Sequence, residues 1–87
     1  MKELKMEEIM YWIGNSFGLR VKDIDTSGDR VTLKLHNTDV WFRFVQIEGG
    51  DIRVLTFQDS MSINDKMCMD LATLKDHIED QIKVHKI

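Results

Sequence analysis

The run Val40–Glu48, VWFRFVQIE, constrains this chain more than any other stretch; Gly49-Gly50 and a second run, IRVLTFQ, follow it. β-Branched and aromatic side chains suit a pleated surface. Two such runs around Gly-Gly read as a hairpin with a tight reversal. Upstream, Val31, Leu33 and Leu35 alternate with Thr32, Lys34 and His36. Arg30–His36 is therefore a further strand, and Asn37-Thr38 its turn.

Arithmetic then sets a register. If both reversals are two-residue loops, Leu35 faces Val40, Leu33 faces Phe42 and Val31 faces Phe44. Across Gly49-Gly50, Phe44 faces Leu55 and Phe42 faces Phe57. Directly opposed residues share a face, so all of these line one side. A slip of one residue would mix aromatics with charges. One local conflict stands out. Glu48 would oppose Asp51, a like-charge pair beside the turn.

Residues 3–17 read as a helix. Met6, Ile9, Met10, Ile13 and Phe17 form one stripe at helical spacing, and Gly18 is a natural stop. Leu19–Asp25 reads as a first, irregular strand, with Thr26-Ser27-Gly28-Asp29 as its turn. Ser60–Met69 has poor periodicity and reads as a loop that packs down. A last helix opens at Met69 or Asp70, carries the stripe Leu71, Leu74, Ile78 and Ile82, and ends near His85. The expected fold is a single α+β domain over residues 1–87 in the order α-β-β-β-β-α. It has two layers: a four-stranded antiparallel meander, with the N- and C-terminal helices packed on one face. Eighty-seven residues suit one domain.

The other face is unusual in this register. It carries Trp41, Arg43, Val45 and Ile47, then Ile52 and Val54, with Arg30 and Lys34 alongside. Val45 would oppose Val54, and Ile47 would oppose Ile52. A solvated sheet face is normally polar; this one is half apolar. Either the same chain covers it, through segment 60–69 or a helix, or it is a contact surface for a second copy or another protein.

The constellations that might carry chemistry are sparse. Asp23, Asp25, Ser27 and Gly28 resemble the opening of an EF-hand calcium loop over seven residues, but Lys34 stands where that loop carries its bidentate glutamate. Hairpin chemistry explains the same residues. His77 and His85 are about 12 Å apart along a helix, too far to share a zinc. Cys68 has no second cysteine to pair with, which points to a reducing compartment. No catalytic, metal or cofactor site is expected. Asp76, Glu79 and Asp80 share one side of the last helix, which reads as an ordinary solvated face or, functionally, as an acidic docking face for a basic partner.

The net charge of −3 argues mildly against a general nucleic-acid coat. No run approaches the length of a membrane helix, and the chain's start lacks the apolar core of a secretory signal. A cytoplasmic protein is expected. The leading functional expectation is a non-enzymatic protein–protein interaction module, with a homodimer also possible. Its concrete form is a small acidic inhibitor or adaptor of bacterial or phage type, anti-CRISPR-like in class, docking on a larger basic protein that handles nucleic acid. The binding residues would be Trp41, Arg43, Val45, Ile47, Ile52, Val54, Arg30 and Lys34, with Asp76, Glu79 and Asp80. The alternative is a single-stranded nucleic-acid binder that uses Arg30, Lys34, Trp41 and Arg43 as a platform.

Overall fold

The computed structural model describes residues 5–48 and 50–86. The start of the expected first helix, Glu3 included, and Gly49 lie outside the described residues. Helix α1 spans Met6–Phe17, and a single 3-10 turn, Gly18–Arg20, leads into the sheet. Strands β1 (Val21–Ser27), β2 (Arg30–Leu35), β3 (Val40–Gln46), β4 (Ile52–Gln58) and β5 (Met61–Cys68) follow, and α2 spans Leu71–His85. The sheet runs β1-β2-β3-β4-β5, a meander in which every neighbouring pair is antiparallel. The fold is α+β as expected, with five strands rather than four.

The added strand is the segment expected to be a loop. Its periodicity is hidden for two reasons. β5 lies at the sheet edge, so nearly all of its residues are exposed. A bulge also breaks the alternation: Thr56 pairs with Asn64, but Phe57 pairs with Ser62. The β4–β5 turn needs Asp59 at φ 55°, a left-handed conformation that aspartate tolerates.

The β2–β3 register is the expected one, with Leu33 opposite Phe42 and Val31 opposite Phe44. The β3–β4 register is not. Phe44 pairs with Val54, Phe42 with Thr56 and Trp41 with Phe57, one residue away from the two-residue Gly-Gly arrangement. The loop is longer by one residue. Ile47 N–H donates to Asp51 O at 2.8 Å, and Gly50 N–H donates to Ile47 O at 3.0 Å. Gly50 takes φ 99°, which a side chain would resist. The longer loop puts Glu48 into the turn and removes its opposition to Asp51, the conflict that the shorter loop carries.

The slip turns β4 over. Ile52, Val54 and Thr56 face inward and are fully buried, while Leu55 and Phe57 move to the other side. The assignment of Ile52 and Val54 to the outer face, and of Leu55 and Phe57 to the core, is corrected accordingly. The core joins Ile9, Ile13 and Phe17 of α1 and Leu74 and Ile78 of α2 to Val31, Leu33, Leu35, Val40, Phe42, Phe44, Ile52, Val54 and Cys68. Both helices thus pack on one face. Asp70 caps α2: its side chain accepts from Thr73 N–H at 2.8 Å.

Candidate interaction surface on the sheet

With both helices on one side and β5 extending the sheet, nothing in the described chain covers the opposite face. Its central residues, Thr32, Trp41, Arg43, Val45, Leu55 and Phe57, are half-buried by one another, and Arg30, Lys34 and Arg53 are exposed. The surface is not the expected aliphatic patch. Ile52 and Val54 are in the core, and Ile47 has left β3 for the loop. Val45 now opposes Arg53 rather than Val54.

An aromatic and cationic cluster takes its place. Cross-strand pairing sets Trp41 beside Phe57, and the rings stack with centroids 4.2 Å apart and planes 7° from parallel. Trp41 Nε1–H donates to Asp59 O at 2.6 Å, which ties the indole to the β4–β5 turn. Arg43 lies over both rings, with Cζ 5.1 Å from the Trp41 centroid and 5.3 Å from that of Phe57. Lys34 Nζ is 5.8 Å from the Trp41 centroid. Each contact of this kind is worth about 0.5–1 kcal/mol at an exposed site. Together they hold long side chains in one arrangement before any partner arrives, which lowers the ordering cost of association.

Charge varies across the face. On β1, Asp23 lies opposite Lys34 and Asp25 opposite Thr32, giving an acidic margin. β2 and β3 supply Arg30, Lys34 and Arg43. At the far side, Arg53 forms an ion pair with Asp65 of β5, with Arg53 Nε 2.9 Å from Oδ1. The guanidinium holds the Asp65 carboxyl below its ordinary value, and Asp65 raises Arg53 in return.

The acidic residues Asp76, Glu79 and Asp80 are exposed on α2, in the helix layer. The expected binding residues therefore divide between two sides of the molecule, and one flat partner cannot touch both sets. Sequence reasoning missed Phe57 and Leu55 as surface residues. The signal available was the Glu48–Asp51 conflict, which favours the longer loop. On the helix side, an open groove between α1 and α2 is lined by Glu7, Tyr11, Trp12, Leu71 and Lys75. Tyr11 is exposed at its rim.

The calcium-like segment takes another shape. Asp23, Asp25 and Ser27 lie along extended β1, and Gly28 turns into β2 at φ 60°. Their oxygens are strung along a strand rather than wrapped about a point. Cys68 is fully buried, and burial pushes its thiol up. No helix of the described residues is long and apolar enough to cross a membrane. No protein-family model, curated protein or solved structure matches the chain.

Proposed function

We propose that this chain is a non-enzymatic protein-interaction module whose contact surface is the uncovered sheet face. The observation that supports this reading is the cluster of Trp41, Phe57 and Arg43 at the centre of that face. Tryptophan and arginine are the residues that most often dominate binding energy at protein interfaces, where they sit centrally in preorganised patches. The concrete form we favour is a small inhibitor or adaptor of bacterial or phage type, anti-CRISPR-like in class. It would act in the cytoplasm on a larger protein that handles nucleic acid. A basic partner surface suits the exposed acids of α2 and not the cationic sheet face.

A second reading, a single-stranded nucleic-acid platform, gains from one observation. Phe57 joins Trp41 on the face, beside two cations. The stack weighs against it. One face of the indole is against Phe57 and Lys34 also lies over the ring, so a base must displace a neighbour to stack there.

The deciding experiment is affinity capture of a partner by wild-type chain, Trp41→Ala, Phe57→Ala and a Glu79→Gln/Asp80→Asn double variant. The sheet-face reading expects one captured protein to be lost with the first two variants and kept with the third. Equal capture by all four removes it. Binding of an oligonucleotide that weakens steeply with salt establishes the second reading instead.

A further inference from the structure

We infer that the segment received by the sheet face is an acidic stretch of polypeptide whose carboxylates lie over β2 and β3. The inference rests on the reading of this face as a protein-contact surface and adds the chemistry of the partner. Three features of the face carry it. First, its cations are not equivalent. Arg53 is engaged by Asp65, whereas Arg43 and Lys34 are held over the Trp41 ring. A cation over a ring keeps outward N–H groups for an incoming carboxylate, and guanidinium can take one with two parallel hydrogen bonds. Arg30, at the start of β2, extends the same positive strip.

Second, the margin sets the position. Asp23 and Asp25 stand on β1 beside Lys34 and Thr32 and repel an anion laid there. The favourable strip therefore lies between β1 and β4. The half-buried Val45 and Leu55 beside it suit an aliphatic side chain of the same segment. Third, the cationic centre of the face disfavours a second copy docked centre to centre, which would bring Arg43 and Lys34 near their counterparts. The Trp41–Phe57 stack, not the charge, disfavours bases, because a base must displace Phe57 or Lys34 to reach the indole.

The test uses the intact chain and two probes, the peptide acetyl-EELEELEE-amide and an oligothymidylate of equal charge. Nitrogen–proton correlation spectra follow the amides of Lys34, Trp41 and Arg43 and the indole N–H of Trp41. The expected result is that the peptide moves these signals and the oligothymidylate does not. Arg43→Gln then weakens peptide binding about ten-fold, the loss of one charge-assisted pair, while Lys83→Gln on α2 leaves it unchanged. Three results overturn the inference. Movement by oligothymidylate alone assigns the face to nucleic acid. Equal weakening by Lys83→Gln shows attraction to charge in general. No movement by either probe removes the acidic segment, while the protein-contact reading still stands or falls on the Trp41→Ala capture.

Discussion

Phe44 of β3 lies directly opposite Val54 of β4, and that pairing decides which way every residue of β4 points. Side chains alternate along a strand, so a shift of one residue exchanges the two faces. Both registers put apolar residues inside. The two-residue loop would bury Leu55 and Phe57; the longer loop buries Ile52, Val54 and Thr56. The longer loop leaves a threonine in the core but separates Glu48 from Asp51.

The register predicts opposite fates for neighbouring substitutions. Val54 is fully buried, so Val54→Asp places an unpaired carboxylate in the core and costs more than about 4 kcal/mol. Leu55 opposes Arg43, and Asp65 lies beyond it. Leu55→Asp stays folded but costs about 1–2 kcal/mol, since it loses half-buried apolar contact and opposes Asp65, offset in part by Arg43. Urea unfolding checks both. Retention of the fold by Val54→Asp together with collapse of Leu55→Asp would restore the shorter loop.

Thr56 offers a stabilising substitution. Its Oγ1 is buried without a hydrogen-bond partner among the described residues, between Phe42 on β3 and Asn64 on β5. Valine has nearly the same shape and no hydroxyl. Thr56→Val should raise stability by about 1 kcal/mol, because an unsatisfied buried hydroxyl costs that or more. An unchanged or lower denaturation midpoint would show that the hydroxyl finds a partner in solution, such as a bound water.

Much of this was legible in the residues, and the failures have physical causes. The stripe through Ile9, Ile13 and Phe17 survives intact because nothing competes with it on α1. β2 and β3 read correctly because each is buried on one face and alternates cleanly. β4 has apolar residues on both faces, so alternation cannot choose between them, and the choice passes to one loop residue. β5 has almost no buried residue and a bulge near its start, so no periodicity was there to read. The Trp41–Phe57 stack inherits this ambiguity. Trp41 was visible as a surface aromatic, but its partner depends on the register.

The cap of α2 gives a third prediction. Asp70 accepts from Thr73 N–H, and that hydrogen bond holds its carboxyl below the ordinary value. A depressed carboxyl adds stability above its unfolded value of about 4, and the gain is lost as pH falls through the lower folded value. Asp70→Ala should lower the thermal midpoint at neutral pH and flatten its acid dependence. Asp70→Asn keeps an acceptor for the cap and should recover most of the midpoint without restoring the acid dependence. Equal loss in both variants would mean that charge at the helix start matters more than the hydrogen bond.

The last prediction concerns His77, which is only 7% exposed on α2 and whose Nε2 has no hydrogen-bond partner among the described residues. Burial lowers its affinity for a proton; Lys66 of β5 lowers it further, and Asp80 on its own helix opposes both. In the unfolded chain the ring takes a proton near pH 6.5. Below that value the unfolded state binds more protons than the folded one, so stability falls with pH until the folded ring also titrates. The carboxyls held low, Asp65 and Asp70, titrate in a more acidic range, which separates their effect from that of His77. Denaturation midpoints between about pH 7.5 and pH 5 should therefore drop in the wild type. In His77→Leu they should be flatter, because the titrating group and its unpartnered nitrogen are both gone. Lys66→Gln should soften the wild-type drop, since it removes the neighbouring positive charge. A His77→Leu variant with the same acid slope as the wild type would place the proton uptake elsewhere in the chain.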